Sequence, residues 1–185
     1  SSTTASYNTG VGYRALYTNT TGGSNCAVGR DSLYKNTTGY KNVAIGVSAL
    51  QENTTGHSNV AIGEAASVYN TTGRSNVALG YYALQTNTTG EYNTAVGHQA
   101  LYYATGSYNV AVGNNALVYT TSGLYNTAVG DACLYSNTSA YYNTAVGRTA
   151  MYTTTTGGYN VAIGRQSMYY HTTGNYNSRL GEGAG

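Results

Sequence analysis

One spacing dominates this sequence: an asparagine recurs every 17 residues. The eleven copies begin at Asn8, Asn25, Asn42, Asn59, Asn76, Asn93, Asn109, Asn126, Asn143, Asn160 and Asn177. Nine of the ten intervals are 17 residues long, and the interval from Asn93 to Asn109 is 16. The consensus is N-x-A-V-G-x-x-A-L-Y-x-N-T-T-G-x-Y, and its positions are numbered here from the asparagine. Such a period predicts one supersecondary unit per repeat, stacked along a solenoid.

The repeat is too short to include a helix and a strand joined by a crossover. Residues 42–46 (N-V-A-I-G) contain the β-branched Val43 and Ile45 and end at glycine, which predicts a strand of four or five residues. Ala49 and Leu50 with their flanks predict a second short strand, and residues 53–56 (N-T-T-G) predict a turn in which Gly56 supplies a positive φ. We therefore expect an all-β, parallel β-solenoid of about eleven 17-residue coils.

The repeats also set the domain organisation. Residues 1–7 lead into the array, and residues 8–176 form the tandem-repeat solenoid. Residues 177–185 are a degenerate last repeat or the start of a continuation, because Arg179 stands where other copies have alanine. At about 4.8 Å per coil the rod is about 50 Å long.

Identical residues in every coil predict rows along the rod. Glycine at position five, from Gly12 to Gly181, predicts a corner with positive φ. Asparagine at position one predicts an internal ladder in which each amide bonds the amide one coil away. Aliphatic residues at position four, such as Ile45, and leucine or methionine at position nine, such as Leu50, are expected to fill a thin core.

Position three is alanine in nine of the eleven copies. Its neighbours at positions two and four are small or apolar as well, so this strand is apolar on both faces. Strands of that kind are normally buried on both faces. We predict that the alanine row meets other chains, and the alternative is a row that is merely half exposed. The candidate interchain contacts are Ala27, Ala44, Ala61, Ala78, Ala95, Ala111, Ala128, Ala145 and Ala162.

The composition is that of an unusual surface. Only 8% of residues are charged, against roughly 25% in typical domains, and the net charge is +2. A surface of Thr, Asn, Ser and Tyr favours an extracellular, cell-surface or virion location, and it argues against nucleic acid as a partner. The sequence contains no run of 18 apolar residues, so we expect no membrane insertion. Cys26 and Cys133 lie six coils apart, roughly 29 Å, which is too far for a disulfide within one rod.

The residues that carry chemistry are scattered. The six acidic residues occupy four different repeat positions, and the three histidines lie in different coils. No pair of carboxylates has a spacing suited to acid–base catalysis, and no metal-binding spacing occurs. We expect no catalytic residues, no metal site and no cofactor.

Two known repeat families resemble this chain over nearly its whole length. Residues 42–46 (N-V-A-I-G) and 160–164 (N-V-A-I-G) resemble the repeats of trimeric autotransporter adhesin heads. The longer unit N-T-A-V-G-x-x-A-L-Y-x-N-T-T-G is similar to repeats of bacteriophage tail-fibre proteins. The first resemblance implies a left-handed β-roll with three chains per head, although this 17-residue unit is longer than the usual 14. Together they imply a laterally associated trimer that serves as a tail-fibre shaft or surface adhesin.

Tyrosines form two rows that suggest a second function. Stacked rings would stiffen the rod, or they would offer a strip for sugar rings of cell-surface glycans. Position ten carries one row, which includes Tyr17, Tyr34, Tyr102, Tyr135, Tyr152 and Tyr169. Position seventeen carries the candidate glycan-stacking residues Tyr92, Tyr108, Tyr125, Tyr142, Tyr159 and Tyr176.

A third row consists of Asn-x-Thr/Ser triplets at the predicted turns. They serve turn formation, or they accept N-linked glycans in a secreted protein. The candidate acceptors are Asn19, Asn36, Asn53, Asn70, Asn87 and Asn137. The adjacent threonines of these turns also raise a remote alternative, an ice-binding solenoid, although adjacent side chains point to opposite sides. Head-to-tail stacking of the chain into a fibre is a further expectation, because uncapped solenoid ends present open strand edges.

Overall fold

Each repeat contributes one three-residue β-strand to a single sheet. The computed structural model describes residues 5–183. The strands are β1 (Thr9–Val11), β2 (Cys26–Val28), β3 (Val43–Ile45), β4 (Val60–Ile62), β5 (Val77–Leu79), β6 (Thr94–Val96), β7 (Val110–Val112), β8 (Thr127–Val129), β9 (Thr144–Val146), β10 (Val161–Ile163) and β11 (Ser178–Leu180). They follow one another in chain order, and every neighbouring pair is parallel. The predicted all-β parallel β-solenoid is confirmed.

Residues paired between neighbouring strands are always one repeat apart in the sequence. Ala44 lies opposite Ala61, and Ala61 lies opposite Ala78, so identical positions face each other. The pair β6 and β7 keeps this register although its repeat has 16 residues, because Ala95 lies opposite Ala111. The deleted residue is therefore absorbed in the turn and leaves the sheet unchanged.

The segment that follows each strand forms the opposite wall of the coil, which we call the second wall. It is hydrogen-bonded to the neighbouring coils, but it is not the β-strand that we predicted at Ala49 and Leu50. Residues 47–52 form turns, because positions seven and nine have left-handed backbones: φ is 57° at Ser48 and 48° at Leu50. The Leu50 N–H still donates to the Ala66 carbonyl oxygen one coil away at 3.1 Å. Left-handed residues spaced two apart break strand geometry while leaving the coil-to-coil hydrogen bonds in place.

The two glycine rows exist for different physical reasons. At position five φ lies between 123° and 141° in every copy, so the predicted positive-φ corner is confirmed. At position fifteen the prediction for Gly56 is wrong, because this residue is not among those with positive φ. A Cβ at Gly56 would lie 2.5 Å from the carbonyl oxygen of Gly73 in the next coil. Glycine is needed there for the close approach of two coils.

The core is narrow and is built mainly from alanine and leucine. Ala44, Ala49 and Leu50 are fully buried, and the same three positions recur in the core of other coils. Position nine fills the core as predicted. The prediction that position four also fills it is wrong, because Ile45 points outward and is 37% exposed. The strand begins at position two, so alternation directs position three inward and positions two and four outward.

The predicted last repeat continues the solenoid into β11. Arg179 lies opposite Ala162 in the ladder, so the departure from alanine leaves the register unchanged. The first four residues of the predicted lead-in segment and the last two of the final repeat lie outside the described residues. Residues 5–183 contain no helix with the length and apolarity to cross a membrane.

Candidate functional site

The six tyrosines of position seventeen form one continuous stack. The ring centroids of Tyr125 and Tyr142 are 4.8 Å apart, and their planes differ by 4°. The other four steps have centroid distances of 4.8 to 5.1 Å and interplanar angles of 5° to 14°. These are parallel stacks at the spacing of the strands, so each of the four inner rings contacts a tyrosine above and a tyrosine below. The structure brings all six candidate glycan-stacking residues together.

The stack leaves ring edges, not ring faces, open to a ligand. Tyr108 is covered on one face by Tyr92 and on the other by Tyr125. The Arg74 guanidinium lies 5.8 Å from the ring centroid of Tyr92 at the start of the stack. Tyr125 is 42% exposed through its edge and hydroxyl group. A sugar ring could therefore approach the hydroxyl row, whereas face-on stacking is blocked along most of the ladder.

The position-ten tyrosines stack only in part. The centroids of Tyr135 and Tyr152 are 5.0 Å apart with planes at 1°, and Tyr169 continues this stack at 5.1 Å. A separate pair, Tyr17 and Tyr34, stacks at 5.6 Å. Other residues occupy this position in the coils between, for example Val118. This row is therefore two short stacks instead of one ladder.

The asparagines of position twelve form an amide ladder inside the rod. Nδ2 of Asn53 donates to Oδ1 of Asn36 at 2.7 Å and to the carbonyl oxygen of Gly56 at 3.0 Å. Nδ2 of Asn70 in turn donates to Oδ1 of Asn53 at 2.8 Å. The ladder runs through the five consecutive coils of Asn19, Asn36, Asn53, Asn70 and Asn87.

The ladder ends where the repeat changes. Oδ1 of Asn87 has no hydrogen-bond partner, because the next coil has Ala104 at this position. Asn137 is isolated between coils that have Thr120 and Thr154, and its Nδ2 also lacks a partner. Unpartnered buried amides therefore coincide with the gaps in the asparagine row.

These same asparagines were the candidate glycan acceptors, and their geometry contradicts that prediction. The side chains of Asn36, Asn53, Asn70, Asn87 and Asn137 are fully buried. Asn19 is half-buried, and its Nδ2 donates to the carbonyl oxygen of Gly22 at 2.9 Å. A glycan on these nitrogens would have to occupy the interior of the coil. The Asn-x-Thr pattern serves the ladder and the turn.

The position-one asparagines bond the backbone more than each other. Oδ1 of Asn42 accepts a hydrogen bond from the backbone N–H of Asn59 at 3.0 Å, and Nδ2 of Asn42 donates to the Gly56 carbonyl oxygen at 2.8 Å. Direct amide–amide bonds join this row only in later coils, as between Asn177 and Asn160 at 3.0 Å. The predicted ladder exists, but its main contacts run from side chain to backbone.

The alanine row cannot be the interchain contact that we predicted. All nine residues from Ala27 to Ala162 point into the coil and are at most 1% exposed. The outward side chains of the same strands are those of positions two and four, and most of them are half-exposed. We call this surface the outer apolar face. It includes Val43, Ile45, Val129 and Ile163.

Charged side chains pair between coils, although we predicted no such pairs from the sequence. Lys35 Nζ lies 2.6 Å from Glu52 Oε2, and Arg74 Nε lies 3.0 Å from Glu91 Oε2. The same 17-residue offset joins Arg14 to Asp31, Arg148 to Asp131 and Arg165 to Glu182. The signal was available, because the register places residues 17 apart next to each other. The bases are all well exposed, and exposed pairs contribute little to stability; the Arg14–Asp31 pair is the most covered, because Asp31 is buried.

The turn threonines use their hydroxyl groups within the rod at position thirteen. Oγ1 of Thr54 donates to the carbonyl oxygen of Thr71 in the next coil at 3.1 Å, and Thr37 bonds Thr54 in the same way. Thr55, at position fourteen, is exposed. Only one of the two threonine rows therefore presents free hydroxyls to solvent, which is unfavourable for a two-row ice-binding array.

The cysteines occupy different environments. Both are free, as the coil spacing predicted. Cys133 is buried at position eight, where its Sγ lies 3.2 Å from the carbonyl oxygen of Ala145, and burial raises the pKa of its thiol to about 12. Cys26 is half-exposed at position two, on the outer apolar face. Within residues 5–183, no three His, Cys, Asp or Glu side chains come together as metal ligands.

Comparisons with known proteins add no relative to this description. No protein-family model, no curated protein and no solved structure matches the chain. The resemblance to tail-fibre and adhesin repeats consequently stands on the repeat motif alone. Function has to be argued from the ladders and from the outer apolar face.

Proposed function

We propose that this chain is a structural segment of an extracellular fibre, such as a phage tail-fibre shaft or a surface fibril or adhesin. The observation that supports this function is the unbroken register from β1 to β11, in which each coil pairs only with its neighbours in the chain. Solenoids of this kind grow in one dimension, and their stability is a sum of coil and interface contributions.

Several kinds of contact run along the same axis. Backbone hydrogen bonds, the Asn53-type amide ladder and the Tyr125-type ring stack all join residues one coil apart. Bending or stretching the rod would strain all of them together. A rod built in this way suits a mechanical role, in which stiffness and not chemistry is selected.

The surface favours an environment outside the cell or on a virion. Only 14 side chains are acidic or basic at neutral pH, eight Lys or Arg and six Asp or Glu, and five of the six acids pair with a base one coil away. Exposed ion pairs weaken with salt, but they are few here, so the rod should tolerate wide changes of salt concentration.

Two modes of self-association would extend such a rod. The two sides of a coil are complementary: Asn53, for example, donates from Nδ2 to the preceding coil and accepts at Oδ1 from the next. The coils of one copy can therefore stack head to tail on those of another and prolong the fibre. Lateral association, as the trimer that the repeat resemblance implies, would thicken it. The partners are then other copies of this chain.

Immunogold labelling of native material tests this function. An antibody against the folded chain should decorate long fibres that leave the cell or virion surface, with label repeating along each fibre. A pre-immune serum is the control. Label confined to the cytoplasm, or to dispersed particles no longer than one rod of about 50 Å, would contradict the proposal that the chain is part of a fibre.

Glycan binding is a second candidate, supported by the open edges of the tyrosine stack. Hydroxyl groups spaced at about 4.8 Å could bond a polysaccharide that lies along the rod. A glycan array separates the candidates: binding by the intact chain that disappears in the Tyr125→Phe and Tyr142→Phe double variant would favour the binding module. If the chain binds no glycan, the tyrosine stack serves only to stabilise the rod.

A further inference from the structure

The outer apolar face is a continuous surface without charge. Positions two and four contain no Asp, Glu, Lys, Arg or His in any of the eleven repeats. Position two is Val, Thr, Cys or Ser, and position four is Val, Ile or Leu. Large aliphatic side chains remain exposed on this face, 37% for Ile45 and 41% for Ile163. Contiguous apolar surface of this extent marks an interaction site.

The face is also regular. Its strands share one register, so each side chain stands directly above the same kind of side chain in the next coil. Most of these residues are β-branched, and Thr94 takes the place of Val77 with nearly the same shape. In-register rows of this kind pack closely against a second sheet at about 10 Å.

The face is large enough for a specific interface. Eleven strands about 4.8 Å apart give a length of about 50 Å, and three residues per strand give a width of about 10 Å. Each copy would thus bury roughly 500 Å² of this face, and a pair would bury roughly 1,000 Å² in total, if the face is treated as a plane. This is the area at which specific interfaces begin.

We infer that the outer apolar face packs against the same face of a second copy of this chain. This inference rests on the proposed fibre and names its lateral partner. It replaces the buried alanine row with residues whose side chains are free to make the contact. In an assembly of three chains, the same faces would surround a common axis.

A second copy fits this face better than an unrelated partner does. Only another stack with the same 4.8 Å repeat can match every coil over the whole length of the rod. An uncharged face also meets itself without repulsion, whereas the neighbouring position six includes both acids and bases, such as Asp131 and Arg148. Burying the face would remove the exposed strip of Val, Ile and Leu from water.

Paired lysine substitutions test the contact. The Ile45→Lys and Val129→Lys double variant places two charges on the outer apolar face, five coils apart. The Thr55→Lys and Ser139→Lys double variant adds the same charges at exposed position-fourteen sites of the same two coils. Analytical ultracentrifugation gives the association state of each chain, and hydrogen exchange of the ladder amides verifies that each rod is folded.

The inference predicts that the parent chain and the Thr55/Ser139 variant associate alike as dimers or trimers. The Ile45/Val129 variant should dissociate at concentrations about 100-fold higher or more, because an unpaired charge buried at an interface is strongly unfavourable. A parent chain that stays monomeric up to millimolar concentration would overturn the inference. Equal association by both lysine variants would overturn it as well.

The native cysteines supply an independent readout. Cys26 lies on the outer apolar face, and Cys133 lies in the core of the same rod. A thiol reagent should modify Cys26 slowly in the associated parent chain and at least about tenfold faster in the folded Ile45/Val129 variant, because the partner no longer covers it. Cys133 should resist modification in both chains. Equally fast modification of Cys26 in both chains would contradict the inference.

The outcome is separable from that of the proposed function. Monomeric rods that still occur end to end in immunogold-labelled fibres would overturn the lateral contact and leave the fibre in place. Dimers or trimers that occur only as dispersed particles in native material would do the reverse.

Discussion

Nδ2 of Asn53 lies 2.7 Å from Oδ1 of Asn36, a residue 17 positions earlier in the chain and one coil away. Both side chains are fully buried, and each also bonds the glycine carbonyl of its own turn. One residue type therefore closes the turn within a coil and joins successive coils. This dual role explains why asparagine recurs at a position that looks, in sequence, like an ordinary loop.

Asn53→Ala should destabilise the rod by about 2–4 kcal/mol. The substitution removes three hydrogen bonds and leaves the buried Oδ1 of Asn36 without a donor, while the Gly56 carbonyl oxygen keeps only its bond from Nδ2 of Asn42. Urea unfolding followed by circular dichroism measures the change in the free energy of unfolding. Thr55→Ala in the same coil is the control, because Thr55 is exposed, and it should cost less than about 0.5 kcal/mol. Equal costs for the two variants would show that the ladder contributes nothing.

Gly130→Val should destabilise the rod by at least about 1–3 kcal/mol. φ is 137° at Gly130, and a Cβ there would lie 2.6 Å from the carbonyl oxygen of Gly147 in the next coil. Hydrogen exchange should show the loss of protection concentrated in the coils on either side. Thr127→Val is the matched control, because valine already occupies this outward position in other copies, as at Val110. A Gly130→Val rod as protected as the control would refute the role of this corner.

The repeat predicted most of the architecture because register follows from period. Identical residues 17 apart can only be brought together by stacking coils, so strand order, parallel pairing and the positive φ at Gly130 were all accessible. The same spacing predicted that Cys26 and Cys133 do not form a disulfide within one rod, and both cysteines are free.

The sequence did not show which strand side chains point into the core. We predicted that position three points outward, and this error misplaced the candidate interface. In a V-A-I strand the larger residues would ordinarily fill the core. The coil is too narrow for them: Sγ of Cys133, on the opposite wall, lies 3.2 Å from the carbonyl oxygen of Ala145 on the strand of the next coil. Only alanine fits between walls so close, and the bulky residues point outward.

The left-handed backbones of the second wall were also invisible in the sequence. Ser48 and Leu50 adopt positive φ although neither residue type favours it. The hydrogen bonds to neighbouring coils hold them there, as from the Leu50 N–H to Ala66. A tertiary constraint that repeats in every coil overrides local preference.

Cys133 should make the free energy of unfolding depend on pH above about pH 9. Its folded-state pKa of about 12 exceeds the ordinary value of 9.0, so the folded chain holds this proton more tightly. The resulting stability is fully present below about pH 9 and is lost as pH rises towards 12, by up to about 1.4 kcal/mol per pH unit. In Cys133→Ala and Cys133→Ser, free energies of unfolding from urea titrations should fall less steeply over this range. Parallel pH profiles for the parent chain and both variants would contradict the burial of a titrating thiol.

The tyrosine stack should stabilise the rod through its rings and not through its hydroxyl groups. Tyr125→Phe with Tyr142→Phe keeps the 4.8 Å stack, so the free energy of unfolding should change by less than about 0.5 kcal/mol. Tyr125→Ala with Tyr142→Ala removes the stacked rings and should cost about 1–3 kcal/mol. Thermal unfolding of the two double variants distinguishes them. A phenylalanine pair as unstable as the alanine pair would assign the stabilisation to the hydroxyl groups.

Cryo-electron microscopy of native fibres that an antibody against this chain decorates tests the account most directly. A fibre built by stacking these coils should show a meridional layer line at about 4.8 Å, and its density should repeat coil after coil along an axis much longer than one rod of about 50 Å. Decorated fibres without that layer line, or antibody bound only to particles no longer than one rod, would contradict it.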